Sequence, residues 1–261
     1  MSDNTFNTAI TYTAPNEIRI RGFAIEQLMG NVDFGQAVYL LLRGELPDAK
    51  VGRLVTAMLV SSLDHGPSAP SVMGARVAAS TGAPLNGCVA SGVLNINRFH
   101  GGAIEDCARA ILDVIHRAET NGISLEAATD EILAEYKERK YRVAGFGHRL
   151  HKKDPRTNRL FTLASEAGVA GRHIEVCRLI EAGLEKQTGK ALPINVDGAI
   201  GAVLLELGFE LELMNGFFIM ARVPGLIAQA REEATRERKM RPIVPGSHRY
   251  DGPAPRDLPQ G

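Results

Sequence analysis

The sequence predicts a mainly all-α fold entered through a short N-terminal β-hairpin. From Phe34 onward, apolar residues recur at helical spacing in one segment after another. Period-two alternation is confined to Thr8-Ala9-Ile10-Thr11-Tyr12 and Glu17-Ile18-Arg19-Ile20, on either side of Ala14-Pro15-Asn16. The connections carry Gly or Pro, at Asp64-His65-Gly66-Pro67, Gly82-Ala83-Pro84, 145–155 and 189–193, where helices are expected to break.

Taken in order, the two alternating stretches form the hairpin, because Pro15-Asn16 supplies a turn. The first helix covers 34–42 and stops at Gly44, with Pro47 just beyond. Apolar positions at helical spacing then predict helices over 51–62, 103–117, 125–140, 159–167, 174–188, 198–207 and 217–238. No internal repeat interrupts this series. Residues 242–261 hold five prolines and three glycines and few apolar residues, which predicts an arm lying over a surface or partly mobile. Arg231, Arg236, Arg238, Lys239, Arg241 and Arg249 make the approach to it basic.

Composition narrows the function. A chain of 261 residues, 44% hydrophobic and 23% charged, reads as an ordinary globular protein with a buried core. Thirty basic residues balance thirty acidic ones, which argues against nucleic acid or an anionic membrane as the main partner. The N-terminus lacks a cationic stretch followed by an apolar one, and no uninterrupted apolar run reaches the roughly 18 residues of a membrane span, so a cytoplasmic location is expected. Cys88, Cys107 and Cys177 are widely spaced and odd in number, and are expected to be buried small apolar residues.

Site chemistry concentrates in Gly145-Phe146-Gly147-His148-Arg149-Leu150-His151-Lys152-Lys153-Asp154-Pro155-Arg156. Pro155 pushes Asp154 out of the helical region, and Arg149 and Arg156 can each fork two hydrogen bonds onto a carboxylate or phosphate. His148 can exchange a proton near neutrality. The implied ligand is a small polyanion, and the alternative is a solvated basic loop. Of seven histidines, His65, His100, His148 and His151 sit beside glycine or in a turn, whereas His116 and His173 read as structural or surface residues. His100 precedes Gly101-Gly102-Ala103 and a helical run, so its imidazole is expected beside the free N–H groups of that helix start. Asp197, the lone carboxylate of Pro193-Ile194-Asn195-Val196-Asp197-Gly198-Ala199, is either an N-cap or a catalytic base. Two histidines and one carboxylate with arginines nearby suit carbon–carbon bond chemistry next to a carbonyl. A metal site is not expected, since His148-x-x-His151 lacks the helical Glu of the zinc motif. Gly145-x-Gly147 lacks a preceding strand and a third glycine, which rejects a dinucleotide fingerprint.

Together these segments resemble the citrate synthase superfamily over nearly the whole chain. The likeness rests on Gly145 to Arg149 with Asp154-Pro155-Arg156, on Asn195-Val196-Asp197, on His100-Gly101-Gly102-Ala103, and on Arg21-Gly22-Phe23-Ala24-Ile25-Glu26 with Leu40 to Pro47. Asp64-His65-Gly66-Pro67, 195–201 and Leu213-Met214-Asn215-Gly216-Phe217-Phe218 in a short chain resemble the compact citryl-CoA lyase form, the C-terminal module of ATP-citrate lyase. His100 resembles the citrate synthases instead.

The resemblance implies a large, dimerising helical domain over 1–104 and 211–261 and a small, closing one over 105–210. It implies cleavage of citryl-CoA to acetyl-CoA and oxaloacetate through an enolate, or condensation by a minimal citrate or 2-methylcitrate synthase. A non-catalytic subunit that binds citrate or CoA is the reading from another class. His100, His148 and Asp197 would be catalytic. His65, Arg149, Arg156, Arg222 and Arg241 would hold substrate carboxylates, with Arg241 acting across a homodimer or higher homo-oligomer. Gly145, Phe146, Gly147 and Lys190 would serve CoA, which enters as a thioester substrate, with no cofactor tightly bound.

Overall fold

A computed structural model describes residues 6–147, 154–241 and 246–258. The predicted hairpin is present and gains a strand: β1 (Thr11–Ala14), β2 (Glu17–Ile20) and β3 (Phe23–Ala24) form an antiparallel sheet in that order. Asn16 adopts a positive φ of 60°, which with Pro15 closes a two-residue loop and pairs Ala14 with Glu17. That loop sets the register. It moves β1 toward Ala14, later than the Thr8–Tyr12 stretch that alternation suggested. The guanidinium of Arg21 then reaches back to Leu41 O at 2.8 Å.

The helices are α1 (Ile25–Leu28), α2 (Phe34–Arg43), α3 (Ala49–Ser61), α4 (Pro70–Ser80), α5 (Leu85–Leu94), α6 (Ala103–Asn121), α7 (Leu125–Glu138), α8 (Pro155–Glu166), α9 (Arg172–Thr188), α10 (Val196–Glu206) and α11 (Leu211–Arg236). Their ends have local causes. Asp33 and Gln36 close α2 with a capping box, and Gly44 stops it in the left-handed region. Asp48 caps α3, Ser124 caps α7, and Gly122 and Gly189 terminate α6 and α9. Asp154 is extended and caps α8 ahead of Pro155, as the pre-proline restriction requires.

Three helices escape the periodicity reading: α1, α4 and α5. The last two are built from Ala, Ser, Gly and Val, so their polar and apolar faces contrast little. Small residues suit a close packing instead. A Cβ on Gly92 would stand 2.9 Å from Ser71 O and 2.7 Å from a Leu226 methyl, so α4, α5 and α11 share one tight contact.

α6 to α10 pack among themselves, while α3, α4 and α5 gather around α11. One continuous apolar cluster joins the two groups, from Leu54 of α3 through Ile111 of α6 to Met214 and Phe217 of α11. α11 has the length and apolar character of a membrane-crossing helix, yet it packs against α3, α4, α5 and α6. All three cysteines are buried thiols, as their spacing suggested. His116 is exposed, and His173 Nδ1 lies 2.8 Å from Glu206 Oε2, where it helps tie the start of α9 to the end of α10. Residues 246–258 are exposed along their whole length.

Candidate active site

A cavity of about 190 Å³ opens where the starts of α6, α8 and α10 meet the end of α3 and the middle of α11. His65, His100, Arg156, Asp197 and Arg222, five residues singled out in the sequence, all line it. Pockets that engulf a drug-sized ligand run to roughly 300–1,000 Å³, so this one suits the reacting end of a larger molecule.

The turn that carries His100 has no slack. Asn97 and His100 exchange two backbone hydrogen bonds of 2.8 Å, and Gly102 N–H adds a third to Asn97 O. Gly101 has a φ of +87°, and a Cβ there would meet Ile96 and Phe218 at 2.6 Å. The imidazole does not address the start of α6, as its place in the sequence suggested. It turns to α4, where Nε2 lies 2.8 Å from Ser71 Oγ and 3.4 Å from Ser71 N. Ser71 is the second residue of α4, so its N–H is one of the donors a helix start leaves unpaired. Because that N–H can only donate, Nε2 is the acceptor and the ring proton sits on Nδ1. Burial, followed by the nearby charges of Arg222 and His65, lowers the pKa of His100 and favours the neutral ring. Phe218 packs edge-on against it with centroids 5.4 Å apart.

Arg222 is buried in mid-helix on α11. Its Nε donates to Ser62 O at 3.0 Å, its Nη1 donates to Ser71 Oγ at 3.2 Å, and its guanidinium stacks on Phe218. Ser71 Oγ therefore accepts from Arg222 and keeps its own proton for His100. Arg156 is held by Asp154 through Nε at 2.9 Å and Nη2 at 2.7 Å, while Nη1 donates to Ser61 O at 3.2 Å. Each guanidinium carries five N–H groups, so both retain donors beyond these bonds.

Asp197 is not the N-cap of α10. Asn195 is: its Oδ1 accepts from the N–H of Asp197 at 3.0 Å and of Gly198 at 3.2 Å. Part of Asp197 faces the cavity, while its Oδ1 is sealed from solvent without a hydrogen-bond partner. Burial pushes its pKa up to about 6 against the opposing pull of Arg156 and Arg222.

Residues 145–147 pair with 193–195 like two short strands. Gly147 N–H donates to Pro193 O at 2.7 Å, Asn195 N–H to Gly145 O at 3.0 Å, and Asn195 Nδ2 to Gly147 O at 3.0 Å. These bonds hold the loop that carries Gly145, Phe146 and Gly147 to the start of α10. Gly145 has a φ of +85° and no room for a Cβ, which would fall 2.8 Å from Gly198 Cα. Phe146 is buried and lines a second crevice of about 260 Å³, with Tyr141, Lys137, Lys140 and Arg142 around it. Lys190 is exposed just past α9 and lines neither cavity.

His148, Arg149 and His151 lie outside the described residues. Arg241 does not line the cavity of its own chain. Its guanidinium pairs with the buried carboxylate of Glu233, eleven residues and roughly 16 Å along α11 from Arg222. Sequence reasoning missed Ser71, Asn195 as the cap, and the ring of Phe218. Ser71 sat in an unread helix, and Asn195 stood only as the flank of Asp197.

Comparison with known proteins fits this geometry. The family described as "Citrate synthase, C-terminal domain" matches residues 48–243. The structure of citryl-CoA lyase from Hydrogenobacter thermophilus superposes with a TM-score of 0.87 at 42% identity, covering 97% of each chain. An ATP-citrate synthase beta chain protein of Oryza sativa subsp. japonica is 32% identical over 65% of this chain. The citrate/2-methylcitrate synthase of Bacillus subtilis is 31% identical over 78%. The chain spans 29% and 53% of the lengths of those last two relatives. A neutral imidazole, a buried carboxyl and two mounted arginines thus share one helical cavity with the motifs that suggested them, and the chain belongs to the citrate synthase family.

Proposed function

We propose that the protein is a citryl-CoA lyase, cleaving citryl-CoA to acetyl-CoA and oxaloacetate. The observation that carries this reading is the Asp197 carboxyl, whose Oδ1 is sealed from solvent in the same cavity as the His100 imidazole and two guanidinium groups, where burial raises its pKa to about 6. Cleavage needs an acid at the carbon that becomes the acetyl methyl group, and a carboxyl with a pKa of about 6 can supply it.

In this reading Arg156 and Arg222, with His65 and Arg149, hold the carboxylates of the citryl group, and Arg241 joins them from a second copy. His148 accepts the citryl hydroxyl proton as the carbon–carbon bond breaks and the hydroxyl carbon becomes the oxaloacetate ketone. The electron pair passes to the acetyl thioester as an enolate, whose oxygen takes a hydrogen bond from Nδ1–H of His100. Asp197 then protonates the enolate carbon, giving acetyl-CoA. The crevice beside Phe146 receives the nucleotide end of CoA, where Lys137, Lys140 and Arg142 offer charge to its phosphates, and Lys190 stands nearby on the exposed side. No tightly bound cofactor takes part.

The division at 105 and 210 follows the same reading: α6 to α10 form a small domain that closes on the large one and excludes water from the thioester. Exposed Met73 and Val77, four residues apart on α4, give the large domain an apolar face for a homodimer. A cytoplasmic location goes with a soluble metabolic enzyme.

The second reading is a minimal citrate or 2-methylcitrate synthase, favoured by His100 and by the Bacillus subtilis relative. Purified protein given citryl-CoA, with oxaloacetate and free CoA followed separately, decides. Stoichiometric oxaloacetate and acetyl-CoA support the lyase, CoA with citrate and no oxaloacetate supports the synthase, and neither product supports a non-catalytic subunit.

A further inference from the structure

We infer that the end of α3 is a shared mount for both site arginines and that Gly225, which does not line the cavity, is the positioning residue that seats it. The inference rests on the carboxylate-binding role proposed for Arg156 and Arg222. The last carbonyls of a helix lack intrahelical partners and carry its negative end, which suits them to hold guanidinium groups. Here Ser61 O accepts from Arg156 and Ser62 O from Arg222, at 3.2 and 3.0 Å. One short backbone segment thus sets the spacing of two cations delivered from α8 and α11.

The seat is made by an absent side chain. Gly225 lies three residues after Arg222 on α11, and a Cβ there would stand 2.0 Å from Leu63 O, 3.1 Å from Leu63 C and 3.2 Å from Asp64 Cβ. Two of those atoms are backbone, so relief requires moving the 61–64 segment away from α11. That motion carries Ser62 O off Arg222 and Ser61 O off Arg156. Pro224 already removes one α11 hydrogen bond beside the contact. Placement errors of about 1 Å in a binding constellation cost about a hundredfold in kcat/KM.

The test compares two glycines at which a Cβ would meet a neighbouring atom within 2.5 Å. Gly225→Ala is expected to raise KM for citryl-CoA and to weaken citrate binding, measured by calorimetry, at least about tenfold, with kcat/KM down about a hundredfold. Gly183→Ala places its Cβ 2.5 Å from a Leu133 methyl at the contact of α9 with α7, away from α3 and outside the cavity lining. It should lower Tm and leave KM and citrate affinity unchanged. A second variant reaches the mount from its other side. Leu63→Pro excludes the present ψ of 14° at Ser62, swings that carbonyl away from Arg222, and alters no cavity residue. It should reproduce the rise in KM even where Gly225→Ala fails to fold.

Wild-type KM and citrate affinity in a folded Gly225→Ala or Leu63→Pro protein would overturn the mount while leaving the lyase reading intact. Wild-type protein that binds citrate without turning over citryl-CoA would overturn the lyase reading, and citrate affinity in the variants would still judge the mount. Wild-type protein that binds neither overturns both.

Discussion

Asn195 caps the helix that carries Asp197, two residues away, and in doing so leaves the Asp197 carboxyl without a structural task. The Oδ1 atom of Asn195 accepts from Asp197 N–H at 3.0 Å, and its Nδ2 donates to Gly147 O at 3.0 Å. One amide therefore joins α10 to the loop that leads into His148. Asn195→Ala should cost about 1–2 kcal/mol, from a lost cap and an unpaired carbonyl. Asn195→Asp keeps the cap and loses the Gly147 bond, so its stability should fall between the two. Urea titration orders the three proteins, and a wild-type midpoint for Asn195→Ala would contradict the capping assignment.

Ser71 is the common partner of His100 and Arg222. Its removal strips a buried guanidinium of one acceptor and frees the imidazole to change tautomer. Ser71→Ala should lose about 1–3 kcal/mol of stability and about tenfold in kcat, whereas Ser71→Thr, which keeps the hydroxyl, should retain more of both. Thermal melts and steady-state kinetics on citryl-CoA read the two effects separately. Full kcat in Ser71→Ala would show that the orientation of His100 comes from elsewhere.

The raised pKa of Asp197 has a signed consequence for stability. Below about pH 4 the carboxyl is protonated both folded and unfolded, and it imposes no penalty. Between about 4 and 6 the unfolded chain releases this proton first, so stability falls as pH rises and stays about 3 kcal/mol lower above that window. Asp197→Asn removes the fall, and the variant should be more stable than wild type at neutral pH by up to that amount while losing turnover. Wild-type kcat/KM for cleavage should decline as pH rises through about 6, because the acid is consumed, whereas condensation should rise through the same range. Chemical denaturation and initial rates between pH 4 and 8 check both, and equal pH slopes for Asp197→Asn and wild type would refute the burial argument.

Much of the fold was legible because a long helix with one apolar stripe announces itself. α2, α6 and α7 show that stripe, bounded by Asp33 and Gly44, by Gly122, and by Ser124. α4 and α5 were not legible, since helices of Ala, Ser and Gly gain stability from close backbone approach, such as Gly92 against Ser71 O, and leave no periodic trace. The site followed the same division. Scarce polar residues beside glycine marked His65, His100 and Asp197, but nothing local distinguished a cap from a base.

The sequence by itself determined the helical class, the hairpin, the breaks between helices and the inventory of acids, bases and cations, because each depends on residue type and near-neighbour spacing. Only the tertiary structure decided which of those groups meet. Arg222 is held by Ser62, 160 positions away, and His100 by Ser71 of a helix that periodicity did not reveal. The pKa of Asp197 depends on how completely the surrounding helices exclude water, and Arg241 stands on Glu233 rather than in its own cavity. Desolvation and long-range hydrogen bonds belong to the packed chain, and they turn that inventory into a site.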